Sequence, residues 1–157
     1  MANDAIMKFG SATTVISHAA ALGDGANTYS AITNMTELDN STTLYPLAIA
    51  VLDIADTFAA APDDGGTLDL YMMINEVDGA SSDELPAPAA TDIKRAHYVG
   101  SFSVTDLDVA VRQQITISLV GVQKADFFLV NNCGQSTSYT SNAMTVKVTP
   151  FTYTPSA

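Results

Sequence analysis

The sequence has no tryptophan, one cysteine and only 15% charged residues in a chain of 157. With Cys133 alone, no intrachain disulfide can form, so the fold must be held by its core. A chain of this length can bury about 70% of its unfolded surface, enough for a single unstapled domain. Basic residues are also scarce. Six Lys and Arg face seventeen Asp and Glu, for a net charge of −11 and a pI near 4.1. Phosphate contacts need a basic patch, so direct nucleic-acid binding and docking on an anionic membrane are not expected. No run approaches the roughly 18 apolar residues of a membrane span. The start, Met-Ala-Asn-Asp-Ala, lacks the basic and apolar regions of a signal peptide, so a soluble product of a cytoplasm is expected.

Motifs that carry chemistry are missing too. There is no glycine-rich phosphate loop, His-Glu-x-x-His, Cys-x-x-Cys or Gly-x-Ser-x-Gly. His18 has no second ligand three or four residues on, and His97, beside Lys94 and Arg95, reads as a surface or interface histidine. Cys133 lies in an Asn-Asn-Cys-Gly turn with no base nearby and reads as a structural thiol. Composition alone leaves a Ser/His/Asp set open. Nearly all the acids fall at turns, where acids normally sit. Asp78, Asp83 and Glu84 match no EF-hand spacing and read as a solvated acidic loop, and Asp106 with Asp108, which could coordinate a cation, reads as a polar turn. The expectation is a non-enzymatic protein with no cofactor and no metal.

What the sequence does have is alternation. Residues 67–75 place Leu68, Leu70, Met72 and Ile74 on one face and Thr67, Asp69, Tyr71, Met73 and Asn75 on the other. Turn signals at Pro62–Gly66 and Asp78-Gly79 bound this central strand. Further strands are expected at 11–16, weakly at 27–35, at 43–54, 96–104, 111–119, 125–132 and 143–151. In 43–54, small residues alternate with branched ones, which suits a strand covered on both sides. Gly100 marks a bulge or a close backbone approach. Residues 17–25, 37–41 and 78–92 read as loops. The total is seven or eight strands of an all-β, antiparallel sandwich, with a jelly roll as the expected topology.

Residues 1–10 have little periodicity and read as an N-terminal arm ahead of a single domain at 11–157. The arm either frays or docks on a neighbour. The charge is lopsided. Fourteen of the acids and only one base, Lys8, precede residue 94. This reflects either acidic turns that happen to fall early or a bipolar molecule with a less acidic docking face. Sugar-binding sandwiches use aromatic platforms, usually with Trp. Tyr71, between Asp69 and Met73 on one face, looks more like a protein contact.

Four stretches together resemble a family of tailed-bacteriophage virion structural proteins, of the capsid decoration or cement type. They are Tyr45-Pro46-Leu47-Ala48 leading to Phe58-Ala59-Ala60-Ala61-Pro62, and Gly66 to Tyr71 followed by Val77-Asp78-Gly79. Then come Tyr98-Val99-Gly100-Ser101-Phe102 with Arg112, and Phe127 to Asn132 with Gly134, closing on Val146-Lys147-Val148-Thr149-Pro150. Met73-Ile74-Asn75-Glu76 departs from the family pattern, which has a proline there. The resemblance implies a protein on the outside of an icosahedral capsid, made in the host cytoplasm. Its partners would be the major capsid protein and itself, as a homotrimer, and its function would be to bridge shell subunits. The implied interface residues are those of the arm, Met1, Ala2, Asn3, Asp4, Met7 and Phe9, with the apolar positions Tyr71 and Met73. The alternative is a tail or baseplate accessory that binds a receptor or glycan.

Overall fold

A computed structural model of the chain describes residues 5–18, 34–54, 65–76, 96–104, 111–134 and 144–155. These form ten strands: β1 (Ala5–Phe9), β2 (Thr13–His18), β3 (Asn34–Met35), β4 (Leu38–Asp39), β5 (Leu47–Ile54), β6 (Thr67–Glu76), β7 (His97–Ser103), β8 (Val111–Ser118), β9 (Lys124–Asn132) and β10 (Met144–Pro155). The fold is an antiparallel β-sandwich. One sheet runs β3-β2-β10-β5-β8, with β1 also on β10, and the other runs β4-β9-β6-β7. No helix among the described residues is long and apolar enough to cross a membrane.

The period-two pattern explains the core. Leu68, Leu70 and Met72 of β6 lie opposite Asn131, Leu129 and Phe127 of β9. All six side chains are buried. From the facing sheet, Ala48, Ala50, Leu52 and Ile54 of β5 are fully buried. Their partners on β10 include Met144, Val146 and Val148. The small face of β5 is the one turned to the core, while Leu47, Ile49 and Val51 are half-buried on the outside. Ala48 and Ala50 share one buried core with the large rings of Phe102 and Phe127 from the other sheet, a mixture of small and large side chains that suits close packing. In β2 a register shift against Val146/Lys147 lets the successive residues Val15 and Ile16 both be buried.

Gly100 is both a bulge and a close approach. Leu70 pairs with Gly100 but Tyr71 pairs with Tyr98, so one residue of β7 is extra. A Cβ on Gly100 would meet Ile115 Cδ1 at 2.7 Å, so β7 packs closely against β8 of the other sheet at this point.

Several expectations change. Residues 5–9 of the arm are a strand, β1, paired over their whole length with β10. The first core strand lies at 13–18, not 11–16. The polar stretch 37–41 contains β4, with Leu38 buried. The last strand runs on through Pro150 to Pro155. The acidic segments 78–92 and 105–110, and all of 19–33, lie outside the described residues.

Candidate docking surface

Strands β1 and β2 run the same way along one edge of β10, as one long strand broken at residues 10–12. The break has a chemical cause. Gly10 N–H donates to Pro150 C=O at 2.8 Å, so residue 150 points its main-chain groups toward this edge. Proline has no N–H to return, so the ladder is interrupted there and the chain bulges. On the other edge of β10, pairing with β5 ends at Phe151↔Leu47. Residues 152–155 and β1 therefore extend past β5 as a two-stranded ribbon, and every residue of β1 is exposed.

This ribbon has an apolar face. Antiparallel pairing sets Phe9 against Phe151 and Met7 against Tyr153. The Phe9 and Phe151 rings are 5.9 Å apart, and Tyr153 meets Phe151 edge-on at 5.7 Å. Phe151 is buried beneath them, while Met7, Phe9 and Tyr153 are 38%, 50% and 55% exposed. Ile6 and Lys8 occupy the opposite face by alternation. At the same end of the sandwich lie Leu44, just before β5, and Val120, just after β8, joined by a Leu119 N–H to Pro46 C=O bond of 2.8 Å. Of seven large apolar side chains exposed among the described residues, six (Ile6, Met7, Phe9, Leu44, Val120 and Tyr153) belong to this one pole. Scattered exposed apolar residues are ordinary, but a polar-rimmed cluster of them marks an interaction site.

The pole is rigidly based. Asn40 is buried, and its amide nitrogen donates to Tyr45 C=O at 2.9 Å and to Val122 C=O at 3.0 Å. Its side-chain oxygen accepts from Tyr45 N–H at 3.0 Å. One side chain thus ties the β4–β5 connection to the β8–β9 connection, which crosses between the sheets. Next to it, Asp39 Oδ1 accepts from the Ser41 hydroxyl at 2.6 Å and the Ser41 N–H at 2.9 Å. These two bonds hold the Asp39 carboxyl below its ordinary range, with a smaller contribution from Lys124.

Leu44 sits at φ 51°, in the left-handed region, with its N–H bonded to Asn40 C=O at 2.9 Å. A leucine there is strained by about 1 kcal/mol, and asparagine tolerates the conformation better. An exposed, strained, apolar residue is kept at a cost to the free protein. Leu44→Asn is therefore expected to raise the thermal midpoint by a few degrees and to weaken docking. A variant no more stable than the parent would remove the strain argument.

The sequence-selected residues divide between two places. Met7 and Phe9 are on the apolar ribbon. Met1, Ala2, Asn3 and Asp4 lie outside the described residues. Tyr71 and Met73 lie on the outer face of the other sheet, and Met73 is corrected: it is 1% exposed and not available as a surface contact. The outer face of this sheet carries buried apolar residues of its own. Tyr71 pairs with Phe128 and Asp69 with Val130, and Phe128 and Val130 are buried on the same outer face. Met73 joins that second apolar layer. Tyr71 is half-buried, with its ring edge-on to Tyr98 at 5.6 Å. Its phenol is pushed up by burial, then by the Asp69 and Tyr98 charges, so it stays a protonated donor.

Beside it Asp69 accepts from Ser101 Oγ at 2.5 Å and from Asn132 Nδ2 at 2.6 Å, and Tyr98 OH meets Ser101 Oγ at 2.6 Å. The serine proton goes straight to the carboxylate with no imidazole between, so the group acts as a tie across β7, β6 and β9. Cys133 is buried, with its thiol donating to Thr67 C=O at 3.4 Å. No group of three His, Cys, Asp or Glu side chains that could hold a metal ion occurs among the described residues.

Sequence reasoning missed Ile6, Leu44, Val120 and Tyr153. For Tyr153 a signal existed: Phe151 and Tyr153 alternate with Thr152 and Thr154, out of phase with Met144, Val146 and Val148, but the strand was expected to end at residue 151. A cleft of about 460 Å³ opens at the ribbon base, between Gly10, Ser11, Thr42, Thr43 and Tyr45. Compared with known proteins, the chain matches no family model, no curated protein and no solved structure.

Proposed function

We propose that this chain is a non-enzymatic virion structural protein of the capsid decoration type, which binds the outer surface of a phage shell and bridges adjacent major capsid protein subunits. The observation that carries the reading is the apolar pole, where six of the seven large apolar residues exposed among the described residues gather on and around a projecting ribbon. The acidic remainder suits a surface turned to solvent. The strand order β2-β10-β5-β8 facing β4-β9-β6-β7 supports a jelly-roll connection, a fold frequent among capsid proteins. Homotrimeric self-association belongs to the same reading.

The test is light scattering of the purified protein with and without purified empty shells, followed by co-sedimentation. Saturable binding at a fixed copy number per shell is expected, and a free mass of three chains would support the trimer. Protein that stays in the supernatant at any concentration would overturn the reading.

A tail or baseplate accessory that binds glycan is the second reading, favoured by the polar cleft beside Phe9 and Tyr45. Hydroxyl, carboxylate and ring groups line it, and no cationic side chain does. Saturable binding of a neutral oligosaccharide by the isolated protein would support this reading over the first.

A further inference from the structure

We propose that β1 is an acceptor for strand addition, with its outer edge pairing to an extended segment of the shell subunit on which the protein docks. This rests on the docking reading above and adds its mode. Main-chain direction carries the argument. The N–H and C=O of one strand residue point to the same side, and successive residues alternate. Gly10 N–H points to β10, where it donates to Pro150 C=O. Lys8 and Ile6, paired with Thr152 and Thr154, therefore point their main-chain groups inward as well. The Thr154 hydroxyl, 3.4 Å from Ile6 C=O, agrees with this direction. Ala5, Met7 and Phe9 are left pointing theirs outward, along an edge that no described strand pairs and where every residue is exposed. Such an edge is a ready template for another strand.

The occupant follows from side chains and charge. On one face, the added strand meets the apolar layer of Met7, Phe9 and Tyr153. On the other it meets Ile6 and Lys8, the only base before residue 94. The matching segment is apolar at alternate positions and carries a carboxylate opposite Lys8. A second copy of β1 offers no such acid and would put two lysines on one face. The resulting self-pairing is disfavoured.

The test uses the full chain and empty shells, with proline placed by direction. Met7→Pro deletes an outward N–H and leaves the β10 ladder intact, so its thermal midpoint stays within a few degrees of the parent. Its shell affinity is expected to fall at least about tenfold. Met7→Ala removes the same side chain but keeps the N–H, so the loss in Met7→Pro is expected to exceed the loss in Met7→Ala, the excess reporting the main chain. Lys8→Pro deletes an inward N–H and should lower the thermal midpoint. If Met7→Pro binds shells as well as the parent, strand addition is wrong while the docking reading stands. If the parent itself fails to bind, both fall. If Met7→Pro changes only the mass of the free protein, the edge belongs to a second copy. A large loss of stability in Met7→Pro would assign the edge to another part of this chain. Either result overturns the proposal.

Discussion

Asn40→Asp is expected to lower the unfolding free energy at pH 7 by about 3–5 kcal/mol, more than any surface change. The substitution is nearly isosteric, so packing is kept and only chemistry changes. Asn40 donates to two carbonyls, of Tyr45 and Val122, from a buried position. A carboxylate cannot donate, and it would set a negative charge against both oxygens without water to screen it. Burial and the two carbonyls raise the folded-state pKa of the new carboxyl above its unfolded value near 4. A raised folded pKa means that the deficit is smallest below the unfolded pKa and grows as pH rises through the folded one. Urea titrations of parent and variant between pH 3 and 8 should therefore diverge with rising pH. Parallel curves would mean that Asn40 is not the tie described here. The loss should also be cooperative, because one residue joins two connections of the same pole.

The second large effect concerns binding alone. A chain with Met7→Asp and Tyr153→Asp is expected to lose shell binding by about a hundredfold or more, with its thermal midpoint nearly unchanged. Met7 and Tyr153 are paired neighbours on one face of the ribbon and exposed in the free protein, so charging them costs the fold little. In a docked state both carboxylates would be desolvated against an apolar surface, and interface centres of this kind dominate affinity. Co-sedimentation at two salt concentrations separates the causes. A loss that persists at high salt is desolvation, whereas one that salt relieves is only repulsion. Binding within threefold of the parent would exclude the apolar ribbon face as the contact. Asp at Tyr98 is the informative control, because Tyr98 is equally exposed (58%) but sits on the other sheet, away from the pole.

The strands were legible where one face is apolar and the other polar. Residues 67–75 and 111–119 alternate cleanly, and the structure has β6 and β8 there. Residues 125–132, read as a short apolar run, form an interior strand with Phe127 to Asn131 all buried. The arm was half legible. Met7 and Phe9 are exposed on the apolar ribbon, but the chain over 5–9 is a strand because β10 supplies a partner 140 or more residues away in sequence, which local periodicity does not register. Met73 failed for a related reason. Its direction was read correctly, but that outer face is itself buried around Met73, Phe128 and Val130, which the pattern of β6 alone does not register. Leu44, the strained residue, left no sequence signal, since nothing about leucine suggests a left-handed backbone.

Composition and alternation by themselves determined that this is a disulfide-free, acidic, all-β sandwich, because those properties depend on residue counts and on the period of two within single strands. Tertiary structure decided where its apolar surface lies. Exposure is settled by which strand lies alongside and where that strand stops. Here β10 outruns β5 by four residues, Pro150 breaks the edge at Gly10, and the first and last strands together leave an apolar ribbon uncovered.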